Sequence, residues 1–182
     1  MKRFDAPSRW LAAAVALGLL SQAADAAALD GYRDRRGPFM GLGLGGGAAI
    51  QGGEVGGEAG FDLGIGGGAA KWLTLSLDLD TRMEHVSGFT NWMFVPGVQV
   101  DFFFLDALFV RAGVGIAFVF PDEELMPDDD FAMGFDGMAG IGWEFFVGSD
   151  VAIDLGLEGD IIVIDDMEDV FAVGFWLGFR YY

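Results

Sequence analysis

The side chains that could carry chemistry in this sequence are mostly carboxylates. The chain of 182 residues contains 28 aspartate and glutamate residues, 10 lysine and arginine residues, one histidine and no cysteine. Without cysteine there is no disulfide framework and no thiolate chemistry. The net charge of −18 argues against nucleic acid as a partner, because nucleic-acid binding needs a basic surface.

The single histidine, His85, follows Glu84 and precedes Ser87 by two positions. A serine, a histidine and a carboxylate can form a nucleophilic triad. Residues two apart on a strand point the same way without a fixed hydrogen bond between them, and a loop would place them loosely. We therefore expect no enzyme and assign no catalytic residue, with a lipid-modifying enzyme kept as an alternative.

A glycine-rich stretch over 41–46 matches G-x-G-x-x-G. A dinucleotide site needs that motif at a turn from a strand into a helix. Here the glycines continue a pattern of period two, so the motif indicates a strand and predicts no nucleotide cofactor.

Two acidic segments, 121–130 and 165–169, fall between apolar stretches. Carboxylate oxygens suit hard cations such as Ca²⁺ or Mg²⁺. The spacing does not match an EF-hand loop, so we predict only a weak metal site at Asp128, Asp129 and Asp130. We expect no other cofactor.

The elements that must position the carboxylates are strands, as the end of the chain shows most clearly. Every second residue there is apolar: Phe171, Val173, Phe175, Leu177, Phe179 and Tyr181. The residues between them are mostly small, with one cation: Ala172, Gly174, Trp176, Gly178 and Arg180. A period of two places these sets on opposite faces of a strand. A strand with lipid on one face and a narrow lumen on the other has this pattern.

Eight such segments follow one another, over 38–50, 55–67, 72–84, 92–104, 108–120, 131–145, 151–163 and 170–182. Each is long enough for the roughly 9–11 residues of a tilted membrane strand. Charges of the outward parity are almost absent, and an outward cation would cost about 2–4 kcal/mol at the bilayer midplane. The sequence therefore predicts an all-β fold, an eight-stranded antiparallel up-and-down transmembrane β-barrel. No uncharged apolar run reaches the roughly 18 residues of a membrane helix.

The connections between these segments alternate in length. Tight connections over 68–71, 105–107 and 147–150 are expected on the side of the termini, and 51–54, 85–91, 121–130 and 165–169 on the opposite side. An even number of strands brings both termini to one side.

The first 26 residues have the pattern of a secretory signal peptide, which we expect to be cleaved. Lys2, Arg3 and Arg9 precede an apolar run over 10–20, and Ala24-Asp25-Ala26 or Ala26-Ala27-Ala28 could be the cleavage site. We predict a signal peptide at 1–26, a periplasmic lead-in at 27–37 and the barrel at 38–182.

The inward parity predicts a network of charges in the lumen, formed by Glu58, Asp62, Asp78, Asp80, Arg82, Asp101, Arg111, Asp136, Asp154, Glu158 and Arg180. Glu84, Glu144 and Asp160 share that parity. A hairpin centred on Asp106 would pair Asp101 with Arg111, and one centred on Met167 would pair Asp154 with Arg180.

A third hairpin, centred on Ala70, would pair Glu58 with Arg82 and Asp62 with Asp78. The carboxylates outnumber the arginines, so the surplus must be hydrated, bound to cations or protonated. Eight strands leave an interior that side chains can fill. The network is therefore interpreted as structural, with a cation-binding or narrowly conducting lumen as the alternative.

The strand train and the aromatic terminus resemble the small eight-stranded outer-membrane barrels of the outer membrane protein A and X type, over residues 38–182. The resemblance implies that the barrel assembly machinery recognises the last strand, here at Phe175, Leu177, Phe179, Tyr181 and Tyr182. Such chains usually end on an outward aromatic residue, whereas alternation here places Tyr181 outward and Tyr182 inward or at the rim. It also implies a bacterial outer-membrane location, with membrane lipids and lipopolysaccharide as partners, and we expect a monomer.

These observations predict a structural, membrane-stabilising or surface-interaction role. The alternatives are a narrow cation-selective channel, a lipid-modifying enzyme, and a soluble barrel that binds an apolar ligand inside. The last would need its apolar parity inward.

Overall fold

The computed structural model describes residues 35–86, 88–120, 131–164 and 167–182. The predicted signal peptide, most of the predicted lead-in, and Asp128, Asp129 and Asp130 lie outside these residues. Within the described ranges, no helix has the length and apolar character needed to cross a membrane.

The described residues form eight antiparallel strands, each long and alternating as the sequence predicted. They are β1 (Gly37–Gln51), β2 (Glu54–Ala70), β3 (Leu73–Val86), β4 (Phe89–Phe104), β5 (Leu108–Phe120), β6 (Ala132–Phe146), β7 (Val151–Ile164) and β8 (Val170–Tyr181). Each strand pairs with the next along the chain, and β1 pairs with β8 to close the barrel. The predicted fold is confirmed.

The two ends of the barrel differ in what they contain. Arg35, Tyr182 and the connections 71–72, 105–107 and 147–150 lie at one end, here called the terminal end. The other end, here called the loop end, is where β1 is followed by β2, β3 by β4, β5 by β6 and β7 by β8. The structure describes 52–53, Gly88, Phe131 and 167–169 there. The prediction that 85–91 forms a loop is wrong, because β3 runs to Val86 and β4 begins at Phe89.

The outer face of the barrel is apolar and the inner face carries the charges, as the parity predicted. Outward side chains that are more than half exposed include Met40, Leu44, Val55, Ile65, Leu75, Leu77, Leu157, Ile161, Phe175 and Tyr181. A protein in water would not expose so large an apolar surface. This arrangement excludes a soluble barrel with its apolar face inside.

The pairing register confirms one of the predicted hairpins and corrects two. Asp101 lies opposite Arg111, as expected. Asp154 lies opposite Gly178, not Arg180, because the β7–β8 pairing is centred on residue 166 and not on 167. A turn centre that is wrong by one residue displaces each partner by two, so the face is kept but the partner changes.

The same error affects the β2–β3 hairpin. Lys71 and Trp72 connect the strands, and a bulge shifts the register between Gly68 and Ala70. Glu58 therefore lies opposite Glu84, and not opposite Arg82 as predicted. Asp62 lies opposite Asp80, and not opposite Asp78.

Glycines on the inner face leave room for an aromatic cluster, here called the aromatic floor, formed by Phe103, Phe109 and Trp176. The rings of Phe103 and Phe109 lie 5.1 Å apart, and those of Phe109 and Trp176 lie 6.0 Å apart. A Cβ atom at Gly142 would lie 2.8 Å from the Trp176 ring, and one at Gly156 would overlap it. The glycines thus set how deeply Trp176 fills the lumen.

We predict that Gly156→Ala lowers the free energy of unfolding by about 1–3 kcal/mol, because the added methyl group overpacks Trp176. The control is Gly137→Ala, since a Cβ atom there meets nothing within 4 Å. Urea unfolding in phospholipid vesicles, followed by tryptophan fluorescence, measures both. Equal stability of the two variants would contradict the proposed packing.

The cost of placing a charge on the exposed apolar face should depend on its depth in the bilayer. Leu157→Arg, in the middle of β7, should destabilise the vesicle-inserted barrel by about 2–4 kcal/mol, while Val55→Arg, beside the loop end, should cost about 0–1 kcal/mol. Both native side chains are more than 60% exposed, so burial in protein does not explain a difference. The same unfolding titration tests this, and equal costs would place one of the two positions at the wrong depth.

Candidate functional site

The interior of the barrel is the candidate site, and the strands divide it into layers along the axis. Apolar residues lie near the loop end, carboxylates and Arg82 in the middle, and the aromatic floor with Arg111 and Arg180 below them. A last layer around Arg35 lies at the terminal end. Alternation positions the side chains that lie on strands, because each belongs to the inward parity of its strand, whereas Arg35 precedes β1 and Tyr182 follows β8.

The middle layer surrounds a cavity of about 70 Å³, here called the acidic chamber. Its charged lining residues are Glu58, Asp62, Asp78, Asp80, Arg82, Arg111, Asp136 and Glu158. A cavity of this size and polarity has room for a few water molecules. All of these residues belong to the predicted lumen charge network, so the structure brings its central members together.

Arg82 is one of two arginines that line the acidic chamber, and it is 4% exposed. Its Nε contacts the carboxylate of Asp80, and its Nη1 lies 2.9 Å from Asp160 and 3.8 Å from Asp136. One guanidinium therefore faces three carboxylates from β3, β6 and β7. On the opposite side of the chamber, Asp62 and Asp78 form no such ion pair within the described residues. Ser76 donates a 2.7 Å hydrogen bond to Asp78 there.

Asp101 is the anion shared by Arg111 and Arg180. Arg111 Nε donates to its Oδ1 at 2.9 Å, and Arg180 Nη2 donates to its Oδ2 at 2.5 Å. Thr74 Oγ1 lies 3.3 Å from Oδ2. Asp101 is 2% exposed, so this ion pair is buried and saturated with donors.

Arg180 also contacts Asp154, although the register does not place them opposite each other. The Nε–Oδ2 distance is 2.6 Å. The long side chain of Arg180 reaches diagonally across the pair, as arginine can on one face of a sheet. Below it, the Arg111 guanidinium lies 4.4 Å from the Trp176 ring centroid, where a cation is stabilised by the aromatic face.

The terminal end is closed by a group of residues here called the terminal seal: Arg35, Phe39, Glu144, Phe146 and Tyr182. Arg35 Nε donates to Glu144 Oε1 at 2.6 Å, and its guanidinium lies 3.9 Å from the Phe103 ring centroid. Its Nη atoms reach the carbonyl oxygens of Lys71 and Asp106, in two different turns. Arg35 therefore ties both turns and β6 together across the lumen.

The last residue completes the terminal seal. Tyr182 donates its hydroxyl to Glu144 Oε2 at 2.6 Å, and its ring lies 5.5 Å from both Phe39 and Phe146. Burial raises the pKa of the Tyr182 phenol well above its usual value, so it stays a donor. Glu144 thus accepts from both ends of the described chain, and Tyr182 points inward while Tyr181 points outward.

The loop end of the lumen is filled by an apolar cluster, here called the apolar cap. It consists of Ala49, Val86, Met93, Val95, Ala117, Val119, Ala132, Ile162, Ile164, Val170 and Ala172, with Met167 packed against it. Every strand except β2 contributes at least one of these side chains. The acidic chamber is thereby separated from the loop end by hydrocarbon.

The sequence predicted neither of the two structures that close the lumen, the terminal seal and the apolar cap. The sequence placed Arg35 in a polar lead-in, whereas its side chain lies inside the barrel and is 3% exposed. No apolar cluster at the loop end was predicted, because the inward parity was interpreted mainly as small residues and charges. Its signal was visible in Val86, Met93 and Ile162, which are large apolar residues on the inward parity near strand ends.

The other predictions concern the assembly signal on β8, the single histidine and metal binding. Phe175, Phe179 and Tyr181 face outward on β8, as an assembly signal would require, and their recognition stays a prediction. His85 points outward, 3.0 Å from Thr90 Oγ1, whereas Glu84 points inward, so these two cannot share a triad. No group of three or more histidine, cysteine or carboxylate side chains suited to a metal ion occurs in the described part of the chain.

Comparisons with known proteins bear on the fold. No protein-family model and no curated protein matches the sequence. Among solved structures, the chain is similar to Neisserial surface protein A, with a TM-score of 0.59 and 14% identity over 79% of this chain and 96% of that protein. The chain has the fold of the small eight-stranded outer-membrane β-barrels.

A further similar structure is outer membrane protein OprG from Pseudomonas aeruginosa, with a TM-score of 0.44 and 11% identity over 83% of this chain and 99% of that protein. At 14% identity, the likeness to Neisserial surface protein A shows the fold and not a shared activity. The role of this barrel has to be argued from its own interior.

We predict that Asp101→Asn lowers the free energy of unfolding by about 3–5 kcal/mol, because Arg111 and Arg180 would lose their shared buried carboxylate. Asp106→Asn removes one charge from an exposed turn and is the matched control. Its backbone φ of 59° is one that asparagine adopts readily. Urea unfolding in vesicles should separate the two, and a small effect of Asp101→Asn would mean that water replaces the carboxylate.

Proposed function

We propose that this protein is a non-conducting, structural outer-membrane barrel that stabilises the envelope or presents its loop end at the cell surface. The observation that supports this most strongly is closure of the lumen at both ends. The terminal seal ties Arg35 to Glu144 and to two turns, and the apolar cap fills the opposite end.

The packing between these closures also argues for a scaffold. The aromatic floor narrows the lumen on the side of β4, β5 and β8, and Phe109 is fully buried. An ion moving along the axis would have to pass both the apolar cap and the terminal seal. Each passage would require side chains to move or the ion to lose its water, and desolvating an ion is costly.

The proposed orientation follows from the topology of exported barrels, in which both termini and the short turns face the periplasm. The terminal seal would then lie on the periplasmic side and the loop end outside. The proposal includes outer-membrane lipids and lipopolysaccharide as neighbours of the apolar exterior. It also includes recognition of the outward aromatic residues of β8 by the barrel assembly machinery. We assign no catalytic role.

A narrow cation-selective channel is the second candidate, and the acidic chamber favours it. Carboxylates outnumber arginines there, which would attract cations and repel anions. In that case the apolar cap and the terminal seal would both have to open. Neutralising Asp78, Asp80 and Asp136 would then abolish the conductance.

Planar-bilayer recording tests the proposed closure. Wild-type protein should give no discrete conductance steps, although its heat-sensitive migration on gels should show that it is folded. Arg35→Ala alone and Met93→Ala with Ile162→Ala should also stay silent, because each leaves the other closure in series. The combined triple variant should give small cation-selective steps. Frequent steps from the wild-type barrel would overturn the proposal in favour of the channel.

A further inference from the structure

A row of oxygen-bearing side chains crosses three neighbouring strands between the acidic chamber and the apolar cap. Glu58 on β2 lies directly opposite Glu84 on β3, and Glu84 lies directly opposite Asn91 on β4. All three belong to the inward face. Directly opposed side chains on one face of a sheet have Cβ atoms about 4.5–5.5 Å apart, so Glu84 lies beside both Glu58 and Asn91.

The oxygens of this row have no hydrogen-bond partners among the described residues. The atoms concerned are both carboxylate oxygens of Glu84, Oε2 of Glu58 and Oδ1 of Asn91. Glu84 is 0% exposed and Asn91 is 2% exposed. Two carboxylates directly opposite each other repel, and an unpaired buried charge is costly. The group therefore lacks a positive partner.

The nearest arginine is already engaged. Arg82 directs its Nε to Asp80 and its Nη1 to Asp160. It forms no ion pair with Glu84 within 4.0 Å in the described structure. The amide of Asn91 is held from the other side, because its Nδ2 points to Gln51 Oε1 at 3.5 Å while its Oδ1 stays free.

We propose that Glu58, Glu84 and Asn91 bind a Ca²⁺ ion inside the lumen, beneath the apolar cap. Two carboxylates balance the charge of a divalent ion, and the amide oxygen is a ligand that Ca²⁺ accepts. Ca²⁺ takes 6–8 oxygens in flexible geometry, which suits side chains from three strands, whereas Mg²⁺ needs a near-ideal octahedron. A proton shared by the two glutamates would leave the Asn91 oxygen unpaired.

The acidic chamber supplies the rest of the coordination shell. Glu58 lines the chamber, so the proposed site opens onto a cavity with room for a few water molecules. The surplus of carboxylates around the chamber favours a divalent cation there. The bound ion would link β2, β3 and β4 beneath the apolar cap. The stability of the barrel would then depend on Ca²⁺, which goes beyond the proposed structural role.

The test uses the folded barrel in detergent micelles, washed with chelator and titrated with CaCl₂ by calorimetry. Wild-type protein should show a saturable Ca²⁺ binding event and a higher unfolding temperature when Ca²⁺ is present. Glu84→Gln should lower the apparent affinity at least about tenfold. Glu54→Gln, which removes one charge from an exposed position at the end of β2, should bind as the wild type does.

The outcomes separate the proposed site from its alternatives. Binding that Glu84→Gln leaves unchanged would overturn the proposal and place the ion elsewhere, for example at Asp128, Asp129 and Asp130. A wild-type barrel without saturable Ca²⁺ binding would also overturn it, in favour of a proton at the two glutamates. If Glu84→Gln does not fold, Glu58→Gln tests the same site, with the same expected loss of affinity.

Discussion

The pairing of β1 with β8 is the interaction on which the rest of this structure depends. In hydrocarbon, an unpaired backbone group costs several kcal/mol, so a sheet can cross a bilayer only when no edge is left open. Twelve residues of β8, Val170 to Tyr181, find partners on β1. Once the ring is closed, alternation alone decides which side chains face lipid and which face the lumen.

Closure of a narrow ring also determines how charge is accommodated. The interior receives carboxylates from most strands and few arginines, and Arg35, Arg82, Arg111 and Arg180 each have more than one partner. Arg82 serves three carboxylates, while Asp101 serves two arginines. Arg82 and Asp101 are therefore the centres of the charge network. Glu58 and Glu84 form no ion pair with Arg82, so a bound cation would stabilise these two carboxylates most.

The two closures of the lumen use opposite chemistry. At the terminal end, polar contacts tie Arg35, Glu144 and Tyr182 together, and ring contacts exclude water around them. At the loop end, the apolar cap fills the lumen by packing alone. The first joins chain segments that are far apart in sequence, and the second needs only large side chains on the inward parity.

The sequence by itself determined the strand number, the face of each residue, and the inward position of the charges, because a period of two and the cost of charge in lipid are local properties. It also predicted the Asp101–Arg111 pair, since a short hairpin leaves few registers. The tertiary structure alone decided the partners of Glu58 and Asp154. An error of one residue in a turn centre moves each partner by two without changing its face, and the bulge between Gly68 and Ala70 shifts the β2–β3 pairing by one residue. It alone placed Arg35 inside the barrel, because that contact joins residues 109 positions apart and no local pattern encodes it.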